Sequence, residues 1–174
     1  AGPYGDLVHQ TDFTLGEIMR ALERNGLKNN TLVIFTSDNG SPARAGDLYL
    51  HGPDFHELGS VITKFDHHPN APWRGMKTDI WEGGHREPFV VSWPGTVGEN
   101  RLCDEPVCAV DIMATIANIV DYNLPDDAAE DSWDLSGLFM GNRDRSKQEF
   151  VRGAVVHHSA WGYFAIRQGK WKMI

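Results

Sequence analysis

The chain has 174 residues, of which 41% are hydrophobic and 23% are charged, and its formal net charge is -8. This length and composition are typical of one globular domain with room for a small appendage. The 16 lysines and arginines do not cluster, which argues against nucleic-acid binding, and no apolar run approaches the roughly 20 residues that cross a bilayer. The two cysteines, Cys103 and Cys108, are too few for a zinc site or a disulfide framework.

The first 36 residues predict a helix followed by a buried strand. Apolar residues recur there at spacings of three and four: Leu15, Ile18, Met19 and Leu22. They predict a helix over residues 8–26 with one apolar face, which ends at Gly26. A short polar link leads to a strand over residues 32–36. A helix, a short loop and a continuous apolar strand are typical of a parallel α/β sheet that is covered on both faces.

Residues 40–75 show no periodic pattern and are rich in glycine, proline and histidine. The histidines in this stretch are His51, His56, His67 and His68. A loop of this length in a compact domain is usually functional or mobile.

The next part of the chain predicts another strand and two helices. Residues 89–93 form an apolar run that ends at Pro94-Gly95, which predicts a second buried strand. A helix is predicted over residues 110–120, and a short helix over residues 132–140. The side chains expected to face inward from the longer helix are Ile112, Ile116, Ile119 and Val120.

The end of the chain predicts a small antiparallel sheet. The segments "VRGAVVHHS", "GYFAIRQG" and "KWKMI" are rich in β-branched and aromatic residues and are separated by turns. Because the last strand pattern runs to Ile174 itself, we expect the chain to be part of a longer protein.

An acid and its amide stand where the first strand ends, in the stretch "TLVIFTSDNG". Asp38 and Asn39 therefore lie at the carboxyl end of a strand, the place where open α/β sheets bind ligands. Their side chains are hard oxygen donors of the kind that Ca²⁺ or Mg²⁺ prefers. The same residues also favour a simple turn, and two oxygens do not complete a shell of six to eight. Both interpretations stay open on these residues alone.

A second group of candidate residues lies between residues 72 and 95. The cations Arg74, Lys77 and Arg86 alternate with glycines, and together they would suit an oxyanion such as sulfate or phosphate. The spacing of a P-loop is not met. A solvated basic loop is the alternative interpretation.

The order of these motifs resembles one protein family. The segments "TSDNG", "RGMK", "IWEGGHREPFVVSWPG" and "EPVCAVDIMATIANIV" resemble the second half of the catalytic domain of the sulfatase family, including its arylsulfatase-like members. The closing "FAIRQGKWKMI" is similar to the start of that family's C-terminal sheet. The resemblance implies an alkaline-phosphatase-like α/β fold. Residues 1–142 would then be the second half of the catalytic domain, and residues 143–174 the start of the C-terminal subdomain.

The resemblance also implies an activity, which is hydrolysis of sulfate esters of small molecules or carbohydrates. Members of the family use bound Ca²⁺ and a formylglycine nucleophile, made from Cys or Ser in a C/S-x-P-x-R motif. By the same resemblance, Asp38 and Asn39 ligate the metal, and Lys77 binds the sulfate group and acts in catalysis. Arg74 and His68 are the further substrate-binding candidates. Members are usually exported, so the resemblance implies a periplasmic or secreted protein.

The sequence departs from the family pattern because no C/S-x-P-x-R motif occurs in its 174 residues. We therefore expect the C-terminal portion of a longer enzyme that is inactive by itself. An incomplete sheet would expose its edges, so self-association is also expected. Two alternatives stay open, since a fold does not fix a function: a phosphatase or phosphodiesterase of the same superfold, and a non-catalytic binding module.

Overall fold

A computed structural model describes residues 2–42, 65–141 and 151–174. The helices are α1 (Gly2–Arg24), α2 (Glu82–His85), α3 (Asp111–Ile119) and α4 (Ser136–Met140). The strands are β1 (Val33–Thr36), β2 (Phe89–Ser92), β3 (Val155–His158), β4 (Phe164–Gln168) and β5 (Trp171–Met173). Two histidines of the loop, His51 and His56, lie outside the described residues. Across the described ranges, no helix combines the length and the apolar character needed to span a membrane.

The chain forms two compact units that interleave in sequence. The first unit consists of residues 1–31 and 35–89, and the second of residues 32–34 and 90–174. The domain boundary expected between residues 142 and 143 falls at the edge of a stretch outside the described residues, so it stays a prediction.

Helix α1 of the first unit begins earlier than the sequence pattern predicts, at Gly2 instead of residue 8. The first turns lack apolar periodicity, yet adding turns to an established helix is favourable, because the costly step is nucleation. The helix ends at Arg24, two residues before the predicted end, and the predicted stop at Gly26 is confirmed. Gly26 has a φ of 69°, the Leu27 N–H donates to the Leu22 carbonyl at 2.9 Å, and the Gly26 N–H donates to the Glu23 carbonyl at 3.0 Å. This pair of bonds is the Schellman pattern, in which a left-handed glycine stops the helix.

Strands β1 and β2 are the two apolar runs that the sequence analysis identified, each shortened by one residue. They are neighbours in a two-stranded sheet. Both runs were predicted from continuous apolar residues that are bounded by turn residues. Their positions decide where the functional candidates lie, because residues 37–41 follow β1 and the "EGGHREP" segment leads into β2.

In the second unit, helix α3 was predicted within one residue at each end, but its inward face was partly wrong. Val120 is 64% exposed because the helix ends before it, whereas Asp111 and Thr115 are fully buried. The polar face is buried because it binds the loop that precedes α4. The Thr115 hydroxyl accepts the Leu135 N–H at 2.9 Å, and Leu135 is itself fully buried.

Helix α4 begins at Ser136, four residues later than predicted. The residues before it make tertiary hydrogen bonds instead of helical ones. The Ser132 hydroxyl donates to the Val110 carbonyl at 2.7 Å and accepts the Ala114 N–H at 2.9 Å. Gly141, with a φ of 71°, ends the helix in the left-handed conformation.

The predicted C-terminal antiparallel sheet is confirmed. Strand β4 lies between β3 and β5 and is antiparallel to both. Its residue Ile166 faces Val156 on β3 and Met173 on β5, so one row of apolar side chains crosses all three strands. Ala165, which points to the other face, is buried.

Candidate functional site

Asp38 and Asn39 lie in a short turn directly after β1. The Ser37 hydroxyl donates to the Asn39 carbonyl at 3.3 Å, and the Asn39 amide nitrogen donates to the Gly40 carbonyl at 3.1 Å. Asp38 is exposed and Asn39 is half-buried. Because the Asn39 bond engages the amide nitrogen, the amide oxygen is the atom left to act as a ligand. The turn and the pair of oxygen donors are therefore compatible with each other.

Three glycine-containing segments of the first unit meet backbone to backbone around this turn. The Gly40 N–H donates to the Gly84 carbonyl at 3.2 Å, and a Cβ atom added to Gly40 would lie 1.7 Å from the Gly83 carbonyl oxygen. On the other side, the Gly83 N–H donates to the Arg74 carbonyl at 2.7 Å, and a Cβ atom on Gly83 would lie 2.2 Å from the Gly75 carbonyl oxygen. These separations exclude any side chain, so only glycine fits at both positions.

Lys77 reaches the same turn through its backbone. Its N–H donates to the Ser41 carbonyl at 3.3 Å, and its side chain is exposed. Ser41 is also held by the side chain of Asn70, whose amide oxygen accepts the Ser41 N–H and whose amide nitrogen donates to the Ser41 carbonyl, each at 2.8 Å. The segment that carries Lys77 is thus fixed to the segment that carries Asp38 and Asn39.

The two arginines near Lys77 are each stacked on a tryptophan. The Arg74 guanidinium carbon lies 3.7 Å from the ring centroid of Trp81, and that of Arg86 lies 4.1 Å from the ring centroid of Trp73. Such stacking uses the flat face of the guanidinium and leaves the N–H groups at its edge able to bind an anion. Arg74 therefore stays a substrate-binding candidate, with its orientation set by Trp81.

His68 lies on the surface of the first unit, beside another exposed side chain. Its Nε2 atom is 3.4 Å from an Asp66 carboxylate oxygen, and both side chains are largely exposed. The neighbouring His67 packs against Tyr4 of α1, with ring centroids 5.1 Å apart. No hydrogen bond found among the described residues links the His68 side chain to Lys77, so its substrate-binding role stays a prediction.

Glu87 was not singled out in the sequence, although it lies within the quoted motif "GGHREP". Burial raises the pKa of its carboxyl group, a hydrogen bond with Ser37 lowers that pKa, and the negative charge of Asp38 raises it. The net direction is upward. The only sequence signal was a charged residue close before a buried strand. Glu87 therefore adds a second carboxyl group beside Asp38.

These residues would supply some, but not all, of the ligands of the Ca²⁺ that the family resemblance implies. The Asp38 carboxylate and the Asn39 amide oxygen are hard donors of the right kind, and the adjacent Glu87 increases the negative charge that a cation would neutralise. No cluster of three His, Cys, Asp or Glu side chains able to hold a metal occurs within residues 2–42, 65–141 and 151–174. The donors present fit part of a calcium shell.

Comparison with known proteins gives consistent results. The Sulfatase family model matches residues 1–122. The chain is 36% identical over 150 residues to steryl-sulfatase of Rattus norvegicus, covering 86% of this chain and 24% of that protein. It is 35% identical over 173 residues to N-acetylgalactosamine-6-O-sulfatase of Bacteroides thetaiotaomicron, covering 99% of this chain and 31% of that protein. The chain thus spans between about a quarter and a third of the length of these curated relatives.

Solved structures are similar to this chain over nearly its whole length. One is a Bacteroides thetaiotaomicron protein described in connection with the metabolism of glycosaminoglycans, with a TM-score of 0.76 and 34% identity over 97% of this chain and 32% of that one. Another is the PsFucS1 sulfatase from Pseudoalteromonas sp., with a TM-score of 0.76 and 28% identity over 99% of this chain and 30% of that one. The expected alkaline-phosphatase-like α/β fold is confirmed, and the phosphatase and binding-module alternatives are not favoured by these matches. With a family match over 122 of its 174 residues, the chain belongs to the sulfatase family.

Proposed function

We propose that the protein to which this chain belongs hydrolyses sulfate esters, and that this chain supplies part of the site for the metal and the sulfate group. The observation that carries the proposal is the backbone contact between the turn at residues 38–41 and the two segments that contain Lys77 and Gly83. It joins two oxygen donors and a cationic side chain through one rigid part of the backbone. Preorganised charge of this kind is what transfer of an anionic group needs.

Each residue has a stated role in the proposal. Asp38 and Asn39 provide oxygen ligands for Ca²⁺, which when bound supplies positive charge near the sulfate oxygens. Lys77 binds the sulfate group and offsets the negative charge that develops as the ester bond breaks. Arg74 presents the edge of its stacked guanidinium to the same anion. His68 contacts the rest of the substrate.

The nucleophile lies outside the proposed contribution of this chain. The family uses a formylglycine, and no C/S-x-P-x-R motif occurs among the 174 residues. We therefore expect these residues alone to hydrolyse no sulfate ester. The relatives are named for a sterol and for a sugar sulfate, so the proposed substrate is a sulfate ester of a small molecule or carbohydrate.

The test uses the complete reading frame that encodes this chain. We expect a C/S-x-P-x-R motif before Ala1, and we expect the encoded protein to hydrolyse an aryl sulfate. Lys77→Ala should lower kcat/KM by about 10²–10³ because it removes one stabilising charge. Lys28→Ala is the matched control, since the half-buried Lys28 pairs with Glu23 at 3.1 Å and lies outside the motifs assigned to the site. Full activity of Lys77→Ala, or hydrolysis by the 174 residues alone, would contradict the proposal.

A further inference from the structure

Asn70 makes an unusual pair of contacts next to the candidate site. Its carboxamide binds both backbone polar groups of Ser41, as an acceptor for the N–H and as a donor to the carbonyl, each at 2.8 Å. The two residues are 29 positions apart in sequence. A carboxamide has the same donor and acceptor as a peptide group, so Asn70 holds Ser41 as a neighbouring strand would.

The bonds of Asn70 are shorter than the direct bond between the two site segments. The Lys77 N–H lies 3.3 Å from the Ser41 carbonyl oxygen, beyond the usual range for N–H···O bonds, whereas both Asn70 distances are near its short end. The Ser41 carbonyl accepts from Lys77 and Asn70 together, with one lone pair for each. Without the Asn70 side chain, the longer bond from the Lys77 N–H would have to hold Ser41 alone.

Asn70 is itself fixed to the loop that carries the cations. Its carbonyl accepts the Trp73 N–H at 2.8 Å, and the His68 carbonyl accepts the Ala71 N–H at 3.0 Å, so residues 68–73 form consecutive turns. Its side chain therefore connects a rigid part of one segment to Ser41, only two residues after Asn39.

We propose that Asn70 is a positioning residue of the sulfate-ester site, which sets the separation between the Asp38–Asn39 pair and Lys77. The inference rests on the proposed function, because the separation matters only if a metal and a sulfate group bind side by side. It assigns no contact between Asn70 and the substrate. A displacement of functional groups by about 1 Å is enough to impair a site.

The experiment measures that separation in the isolated chain, with Gd³⁺ as a paramagnetic substitute for Ca²⁺. In isotope-labelled protein, bound Gd³⁺ broadens amide resonances, and the effect falls steeply with distance. We expect broadening of the amides of Asn39, Gly40 and Lys77 that disappears in Asp38→Ala. In Asn70→Ala, the broadening at Asn39 and Gly40 should persist, whereas that at Lys77 should change by at least about twofold.

The control is Asn118→Ala in the second unit. The Asn118 amide donates to the Ser136 hydroxyl at 2.8 Å and to an Asp134 carboxylate oxygen at 3.1 Å, so this variant also loses two side-chain hydrogen bonds. It should leave the broadening at Lys77 unchanged, which separates a positioning role from a general loss of stability. If Asn70→Ala does not fold, Asn70→Gln keeps both polar groups but lengthens the side chain, and it too should alter the broadening at Lys77.

The outcomes distinguish the two proposals. Unchanged broadening at Lys77 in the folded Asn70 variant would overturn the positioning role and leave the metal ligands in place. Broadening of the wild-type chain that does not depend on Asp38 would overturn the metal site, and the role of Asn70 with it. Broadening that depends on Asp38 and changes at Lys77 only in the Asn70 variant would support both.

Discussion

Arg152 donates a hydrogen bond to the carboxylate of Asp111, a side chain with no exposed surface. The same carboxylate accepts the N–H of Cys108 at 2.8 Å and that of Trp133 at 3.0 Å. Arg152 also donates to the Asp131 carbonyl through both terminal nitrogens, at 3.0 Å each. One buried charge thus joins the start of α3, the loop before α4 and the segment that leads into β3.

Removing the charge of Arg152 from this pair should destabilise the protein strongly. Arg152→Met leaves the Asp111 carboxylate buried without its cation, which we expect to cost about 3–5 kcal/mol of unfolding free energy. Urea denaturation of both proteins measures the difference. The control is Arg20→Met, since Arg20 pairs with Glu17 on the exposed surface of α1, where a pair contributes at most about 1 kcal/mol. Equal effects of the two substitutions would contradict this role for Asp111.

The close approach of the glycine segments should make Gly83→Ala severely destabilising. The new methyl group would lie 2.2 Å from the Gly75 carbonyl oxygen, so the backbone must move, and we expect a loss of about 3 kcal/mol or more. Gly137→Ala is the matched control in α4, where no atom lies within 4 Å of the added Cβ. It should raise stability by about 0.5–1 kcal/mol through helix propensity. Thermal and urea denaturation give both values, and a tolerated Gly83→Ala would show that the segments can separate.

The raised pKa of Glu87 predicts a pH-dependent effect of Glu87→Gln. Folding favours the protonated carboxyl group, so the contribution of Glu87 to stability is complete below the ordinary pKa of 4.5 and is lost as the pH rises through the raised value. The glutamine side chain at position 87 carries no charge at any pH. We therefore expect it to become progressively more stable than the wild type between acidic and neutral pH. Urea midpoints at several pH values measure this, and a constant difference would contradict the upward shift.

The incomplete ligand set predicts weak calcium binding by the isolated chain. Two protein oxygens do not replace the shell of six to eight that Ca²⁺ prefers, so we expect no binding in the micromolar range. Isothermal titration calorimetry measures the affinity. Micromolar binding that Asp38→Ala abolishes would show that these residues hold the ion without help from other parts of the protein.

The apolar row on the C-terminal sheet predicts self-association of the isolated chain. Val156 and Met173 are 62% and 71% exposed, and Ile166 lies between them on β4. Exposed apolar faces and the outer strands of sheets favour association. Light scattering should give a mass above 19.5 kDa that falls towards this value in Ile166→Glu. Leu102→Glu, at another exposed apolar position, should lower the measured mass less. A monodisperse monomer would count against the expectation.

The sequence predicted the elements whose apolar pattern matches their burial. Strands β1 and β2 were found to within one residue, and each of the three predicted C-terminal segments contains one strand, because continuous or alternating apolar runs bounded by turns have few other solutions. The start of α4 was missed because the hydroxyl of Ser132 makes tertiary bonds that no periodicity reports. Val120 was placed inward because the period was extended past the true end of the helix.

The candidate site was predictable only in part, for a similar reason. Asp38, Asn39 and Lys77 were singled out by their residue types, and the family resemblance supplied their roles, which stay predictions. Asn70 and Glu87 contact neighbours that are distant in sequence, and these contacts appear only in the folded chain. Polar residues in loops give no period from which such a contact can be inferred.

The contact between Gly40 and Gly83 also limits how the site can be altered or transplanted. The gap between the two backbones is smaller than a methyl group. Neither Gly40 nor Gly83 can therefore be replaced by a residue with a side chain unless the opposite backbone moves away. Grafting Asp38, Asn39 and Lys77 onto another scaffold would therefore fail if only side chains were copied. The two contacting backbone segments would have to be transplanted together, because the candidate side chains depend on them for their positions.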